Sequence, residues 1–212
     1  MRKFRDFLLK KSKGYSWFVG MWFAIFILVL AWTTLQWYSV SENCDRVENI
    51  ITDSALASLE YDTTDYALTK SKTLKEFRGM YDPNTNFWLL CKYIERNLRY
   101  KGNHTSPAYN GTERNYDGTF TVTGDYLDGE EGQCRILRAV FYNVSESGIE
   151  IHEYTASMFG FTLIKKSAPS ITTPKGDEVV NTSVFVDFEF PVKFAGNIRM
   201  VRRQVYASIT EQ

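Results

Sequence analysis

The chain has 212 residues, of which 44% are hydrophobic, and its 25 Lys and Arg balance its 25 Asp and Glu, so the formal net charge is zero. This length allows one modest globular domain beside an anchor and excludes several large domains. The balance excludes a strongly basic or acidic protein, yet the charges are unevenly placed. Residues 1–13 hold six basic residues against Asp6 alone, a net charge of about +5, which leaves about −5 for the remainder.

Residues 14–41 contain no Asp, Glu, Lys, Arg or His. A helix of about 20 residues covers the hydrocarbon layer of about 30 Å, so this segment is predicted to be a transmembrane helix. Aromatic side chains lie at both ends and predict a membrane-interface belt of Tyr15, Trp17, Trp37 and Tyr38. A cleavable signal would have a shorter apolar core and a small-residue cleavage site. We therefore predict that the segment is retained.

The charges on either side of this helix predict its orientation. The basic tail, residues 1–13, precedes the helix, whereas Glu42, Asp45, Glu48 and Asp53 follow it with only Arg46 in opposition. Under the positive-inside rule the N-terminus stays in the cytoplasm. The sequence thus predicts a single-pass protein of the cell membrane with an extracellular C-terminal domain.

Residues 42–60 are predicted to extend the helix outside the membrane. Apolar or small residues recur there at helical spacing, at Cys44, Val47, Ile51, Ala55 and Ser58. No Gly or Pro lies between Met21 and Leu59, so one helix from about residue 17 to about residue 59 is expected. Its narrow apolar stripe suits a helix packed on a sheet.

Residues 61–212 are predicted to form an α+β extracellular head. A second amphipathic helix is expected from Thr85 to Tyr100, and an exposed loop follows it. The segments "TFTVT" and "GIEIHEYTASMFGFTLI" have strand character, while "RILRAVFYNV" fits a strand or a helix, with strand favoured. Val184–Phe190 alternates strictly up to Pro191, and a partner strand follows "FAGN". The head should therefore hold a mainly antiparallel sheet, with its last two strands adjacent.

Catalytic chemistry finds little support in the residues. The two histidines, His104 and His152, are expected in an exposed loop and on a strand surface, and no nucleophile, phosphate-loop or metal-binding motif occurs. The carboxylate pairs Glu130–Glu131 and Asp187 with Glu189 are expected to be solvated. We predict no catalytic residue, metal, cofactor or small-molecule substrate. A tethered hydrolase remains a third interpretation.

The C-terminal basic residues are Lys193, Arg199, Arg202 and Arg203. The net acidic charge outside the tail argues against nucleic acid as a partner. We expect these side chains to face the acidic segment from Glu42 to Asp65, in the same or a neighbouring subunit.

Cysteine pairing and glycosylation stay open. Cys91 and Cys134 are a candidate disulfide, with buried free thiols as the alternative. Four N-x-S/T sequons, at Asn103, Asn110, Asn143 and Asn181, keep a type II glycoprotein as an alternative class. Inside the membrane, Gly20 and Ala24 have the small-xxx-small spacing of a helix contact, and Thr33 and Thr34 are candidate interhelical donors.

The basic leader, "KGYSWFVGMWFAIFILVLAWTTLQWY", the following "CDRVENIITDSALASL" and the terminal "VFVDFEFPVKFAG…VRRQVYASIT" together resemble the type IV pilin superfamily, and TadE-like minor pilins in particular. The resemblance is one of layout and covers roughly half of the chain. It implies processing between Gly14 and Tyr15 and partners among other pilin-like or assembly-platform subunits. Such pilins carry a Glu five residues into the mature helix, where this chain has Val19.

The missing acid argues against a bulk filament subunit, because no buried carboxylate recruits a neighbour's terminus. The resemblance then implies a non-enzymatic structural or assembly subunit, minor pilin-like, of a bacterial pilus or secretion apparatus, with the lipid bilayer as its first partner. The alternative is a membrane-tethered binding or sensing ectodomain. The cytoplasmic tail of about 13 residues is too short to hold a folded signalling domain.

Overall fold

The computed structural model describes residues 2–60, 74, 86–98, 119–123, 131–157 and 160–209. Within them the chain forms two α-helices and a six-stranded sheet, which makes it an α+β protein as predicted. The helices are α1 (Arg2–Ser58) and α2 (Asn86–Leu98). The strands are β1 (Thr119–Thr123), β2 (Glu131–Ser145), β3 (Gly148–Ser157), β4 (Gly160–Ala168), β5 (Ser183–Phe194) and β6 (Asn197–Ser208).

The chain divides into two compact units, Met1–Glu42 and Asn43–Gln212. Helix α1 contributes to both, because it begins at Arg2 and continues to Ser58. Its start is earlier than predicted, since the Lys, Arg, Leu and Phe residues of the tail are all compatible with a helix. Its end lies next to the predicted Leu59. Helix α2 lies within the range predicted for the second helix.

The sheet has the strand order β4-β3-β2-β5-β6, with β1 pairing with the beginning of β2. All pairs are antiparallel. The segment that fitted a strand or a helix is the central strand β2, and the last two strands are neighbours as predicted. They are joined by Ala195 and Gly196, whose φ angles of 51° and 79° are those that a two-residue hairpin turn requires.

The prediction that the strand ends at Pro191 is wrong. Strand β5 continues through Pro191, which pairs with Met200, and ends at Phe194. A proline lacks a backbone donor, so inside a sheet it is tolerated only where no neighbour needs that donor. The pairing of β5 with β2 stops at Glu189 opposite Arg135, two residues before the proline. Pro191 therefore lies where, among the described residues, β5 pairs with β6 alone.

One face of the sheet carries Phe141, His152 and Tyr154, and α2 contacts this face. The ring of Phe87 in α2 stacks on Tyr154 at a centroid distance of 4.2 Å and meets Phe161 edge-on at 4.8 Å. Residues buried at this level include Val184, Val186, Phe188 and Phe190, the inward set predicted for β5. We call this the α2-side face.

The opposite face is not solvent-facing throughout, which the alternation in β5 did not predict. A second apolar cluster there contains Val140, Tyr142, Ile149, Ile151, Val179 and Phe185. Val179 and Ile171 belong to the connection between β4 and β5, which folds back on itself through a hydrogen bond from Val179 N to Ile171 O of 3.0 Å. The connection covers part of the opposite face, so both faces of β5 are buried.

Candidate functional site

Among the described residues, most of the exposed large hydrophobic side chains are on α1. Large hydrophobic side chains stay exposed all around the helix from Trp17 to Tyr38, and no side chain in its most apolar window is buried. Contiguous apolar surface of this extent marks an interaction site in a folded protein. Length and composition make α1 the one helix among the described residues that is apolar enough to cross a membrane.

Three of the four predicted belt residues have described side chains. Trp17, Trp37 and Tyr38 are 74%, 72% and 70% exposed. The 21 residues from Trp17 to Trp37 correspond to about 30 Å of helix, the thickness of a hydrocarbon layer. Gly14 and Tyr15 lie within α1, and the side chain of Tyr15 falls outside the described part of the structure.

The candidate helix-contact residues lie on the exposed part of α1. A Cβ added to Gly20 would have no atom within 4 Å, so a second helix could approach closely there. The Thr33 hydroxyl donates to Leu30 O at 2.9 Å, and the Thr34 hydroxyl donates to Ala31 O at 2.8 Å. Both protons are thus satisfied within α1, and across a helix pair these oxygens would serve as acceptors.

The part of α1 after Glu42 has a different surface. The predicted stripe is buried in full: Cys44, Val47, Ile51, Ala55 and Ser58. Two asparagines of α2 reach this stretch, because Asn86 Nδ2 donates to Ser58 O at 2.7 Å and Asn97 Nδ2 donates to Ser54 Oγ at 3.0 Å. The first bond satisfies a carbonyl that the end of the helix leaves without a partner.

The C-terminal arginines separate into two roles. Arg203 Nε lies 3.6 Å from Glu48 Oε2, so this side chain faces the acidic part of α1 as expected. Arg202 instead binds Asp187 on the opposite face, with Nε 2.8 Å from Oδ1 and Nη2 on Oδ2. These hydrogen bonds raise the pKa of the Arg202 guanidinium. Asp187 was expected to be solvated and is buried.

All three cysteines are free and buried. The structure therefore holds Cys91 and Cys134 as thiols and not as the suggested disulfide, in line with the alternative. Burial raises the pKa of Cys134 to about 12. Burial also raises the pKa of Cys44, although Arg203 nearby acts to lower it. A thiol held protonated is a poor nucleophile.

His152 is fully buried on the α2-side face, so its assignment to a strand surface is wrong. Its cross-strand neighbour is Phe141, a member of the core, which explains the burial. His152 Nε2 lies 3.0 Å from Glu150 Oε1. Burial lowers the pKa of the imidazole, with Glu150 acting in the other direction. His104 lies outside the described residues.

A polar cleft of about 450 Å³ lies where the β2–β3 turn meets the end of β4. Its lining residues are Asn143, Ser145, Ser147, Gly148, Glu150, Lys165, Lys166 and Ser167. Sequence reasoning missed it, because the turn "SESG" and the lysines of β4 come together only through the register of β3 with β4. That register pairs Glu150 with Ser167 and His152 with Lys165.

The remaining candidate residues do not converge. Within the described ranges, no three His, Cys, Asp or Glu side chains are placed to hold a metal ion. Of the sequons, Asn143 is half-buried and its Oδ1 accepts a hydrogen bond from Leu74 N at 2.8 Å, whereas Asn103 and Asn110 lie outside the described residues. Glu130 is also outside them.

Comparison with known proteins found no match: no family model, no curated protein and no solved structure corresponds to this chain. The likeness to pilins consequently rests on the layout of the sequence alone.

Proposed function

We propose that this chain is a single-pass membrane protein that serves as a non-enzymatic structural or assembly subunit, minor pilin-like, of a bacterial pilus or secretion apparatus. In this proposal residues 14–41 span the bilayer, the basic tail stays in the cytoplasm and the α+β head lies outside. The observation that carries it is the continuity of α1. One helix provides both the exposed apolar run and the buried stripe of the head.

That continuity favours this proposal over a domain joined to its anchor by a separate linker. A tether needs a break between anchor and domain, typically rich in Gly, Ser or Pro. Here the helix passes from Trp37 to Ile51 without such a break, and its next turns belong to the head's compact unit. An open antiparallel sheet whose last strands are neighbours also fits the pilin-like layout better than a closed barrel would.

The sequence of the apolar run is the expected source of assembly contacts, through Gly20 and Ala24. The test replaces residues 17–38 with a polyleucine helix of equal length, which conserves insertion and removes side-chain-specific packing. Particle mass is then measured in mild detergent for the native chain and for this variant. We expect the native chain to run as a larger assembly and the polyleucine variant as a monomer.

The alternative, a tethered binding or sensing ectodomain, predicts a different result. Its anchor has no role beyond attachment, so both chains would show the same particle mass and the same partners. That outcome would reject the assembly role and leave the anchor as a simple tether.

A further inference from the structure

In the strand order β4-β3-β2-β5-β6 the outer strands are β4 and β6, and their outer edges differ. Only Ala195 and Gly196 separate Phe194 from Asn197. Phe194 and Asn197 therefore form a hydrogen-bonded pair. From that pair onward, hydrogen-bonded and non-hydrogen-bonded pairs alternate along β5 and β6. The N–H and C=O groups of the even-numbered residues of β6 therefore point away from β5. One of these groups is occupied, since Lys175 Nζ donates to Gln204 O at 2.7 Å. The β6 edge is thus interrupted by a side chain.

Among the described residues, no strand pairs with the outer edge of β4. Only two residues separate Ser157 from Gly160, so the same rule makes the odd-numbered residues of β4 point outward. Their N–H and C=O groups, from Phe161 to Ser167, have no backbone partner among the described residues. The nine residues of β4 pair with β3 without a bulge or a proline. A straight unpaired edge of this kind is a template for another strand.

The side chains of β4 add chemical character to this edge. Ile164 is 41% exposed and offers an apolar contact at the centre of the strand. Lys166 Nζ lies 3.3 Å from Glu153 Oε2, and the same carboxylate also binds Arg138 Nη2 at 2.7 Å. Lys165 is exposed and has no acidic partner among the described residues. Within the described part of the chain, β4 therefore carries two lysines, one of them in an ion pair, beside one exposed apolar side chain.

The polar cleft lies at the same edge and shares its residues. Lys165, Lys166 and Ser167 of β4 form one wall, and Ser147 and Asn143 contribute hydroxyl and amide groups. The lining also holds one carboxylate, Glu150, whose Oε1 lies 3.0 Å from His152 Nε2. An acidic side chain presented along β4 would find an ammonium and several hydrogen-bond donors in this cleft.

We propose that the outer edge of β4 is a docking site for an extended peptide segment of another protein, which adds to the sheet as a further strand. The segment carries acidic side chains at alternate positions. Its backbone pairs with the outward groups of Phe161, Leu163, Lys165 and Ser167, and one carboxylate enters the cleft beside Lys165. Main-chain pairing supplies affinity and the alternate side chains supply specificity, as in other cases of strand addition.

A second copy of this chain fits the edge less well. Two β4 strands side by side would bring Lys165 and Lys166 of each copy within reach of those of the other, and like charges on neighbouring strands are destabilising. Lysines on an exposed edge are also a recurrent protection against self-pairing. The charge of the edge therefore favours an acidic partner.

The experiment uses the full chain in a non-ionic detergent and a fluorescent synthetic peptide with alternating Glu and Val, followed by fluorescence anisotropy. A peptide with Lys in place of Glu is the charge control. We expect saturable binding of the acidic peptide and at least a tenfold weaker affinity for Lys165→Glu. The matched basic residue on the other edge, Arg199, gives the control variant Arg199→Glu, whose affinity should stay within about twofold of the native value.

A second pair of variants tests the backbone pairing. Lys165→Gln removes the charge alone, whereas Lys165→Pro removes the charge and the outward N–H without removing a bond to β3. We expect Lys165→Pro to bind more weakly than Lys165→Gln. Absence of saturable binding would overturn the proposal, as would equal losses for Lys165→Glu and Arg199→Glu. Equal affinities of Lys165→Gln and Lys165→Pro would overturn strand addition. Binding of a second copy in place of the peptide would overturn the choice of partner.

Discussion

The two parts of α1 obey different rules although they belong to one helix. From Trp17 to Tyr38 most side chains are apolar, around the whole circumference, and are exposed, whereas from Cys44 to Ser58 a single stripe is buried and the other positions are mostly polar. A helix that is apolar all around suits lipid, and a helix with one apolar stripe suits the surface of a domain. The change occurs at Glu42, without a Gly or Pro. The pattern of apolar residues, and not a break in the backbone, marks the expected membrane boundary.

The largest effect is expected from charges placed in the first part. Ile25→Arg combined with Leu28→Arg puts two cations near the centre of the apolar run. Each arginine costs about 2.5–3.5 kcal/mol at that depth, so the pair costs about 5–7 kcal/mol on insertion. The fraction of the chain in carbonate-washed membranes should fall steeply. The control pair Ile25→Ala and Leu28→Ala should stay in the pellet. Full retention of the double arginine variant would show that this surface does not meet lipid.

A smaller loss is expected in the second part, from the buried stripe. Ile51 is fully buried, and Ile51→Ala should lower the free energy of unfolding of the head by about 2–5 kcal/mol, through lost burial and a cavity. Leu56 is an exposed neighbour on the same helix, so Leu56→Ala should cost about 0.5 kcal/mol or less. Urea denaturation in detergent measures both. Similar losses for the two variants would contradict a role for this stripe in the core.

The two arginines of β6, Arg202 and Arg203, should contribute unequally to thermal stability. Arg202→Ala leaves the buried Asp187 carboxylate with one side-chain donor among the described residues, Gln204 Nε2 at 3.2 Å. Arg203→Ala breaks a half-exposed pair with Glu48, which is worth about 1 kcal/mol or less. Thermal unfolding should therefore show a larger decrease in Tm for Arg202→Ala, and Asp187→Asn added to that variant should recover part of it. A larger decrease in Tm for Arg203→Ala would instead show that the ion pair between Arg203 and Glu48 contributes more to stability.

The smallest effect is a pH dependence from His152. Burial holds the pKa of the folded imidazole below its ordinary value of 6.5. As the pH falls below 6.5, the imidazole of the unfolded chain binds a proton, whereas the imidazole of the folded chain binds it only at a lower pH. Stability therefore falls as the pH falls through 6.5, and it continues to fall until the pKa of the folded imidazole is reached. Thermal melts between pH 7.5 and 5 should show this decline in the native chain and a flatter dependence in His152→Gln. Identical slopes would exclude His152 as the titrating group.

The elements of the fold could largely be predicted from local patterns. Helical spacing at Phe87, Leu90 and Ile94 predicted α2, and alternation around Val186 predicted β5, because each element buries one face and its sequence records that face. The surroundings of individual residues could not be predicted in this way. His152 and Asp187 lie on strands that the alternation predicted, yet both side chains are buried. Burial depends on which distant segment of the chain covers that face of the sheet.

The limits of local reasoning are clearest at the edge of the sheet. No pattern in residues 145–150 or 160–168 indicates that they enclose one cleft, since only the register of β3 with β4 brings Ser147 and Lys165 together. The prediction that β5 ends at Pro191 was wrong because it, too, depended on the pairing of strands that are distant in the sequence. A proline stops a strand only where a neighbouring strand needs its missing donor, and the extent of that neighbour is not written in the local sequence.

We propose that the apolar part of α1 is a retained membrane anchor, and the intact mass of the protein in carbonate-washed membranes is the most direct test. We expect the pellet to hold a chain that includes the whole segment from Trp17 to Tyr38 together with the head. Loss of residues 1–14 alone would mark processing between Gly14 and Tyr15 and would leave the anchor in place. A head that is found in the soluble fraction, with a mass that lacks this segment, would show that the segment is not a retained anchor.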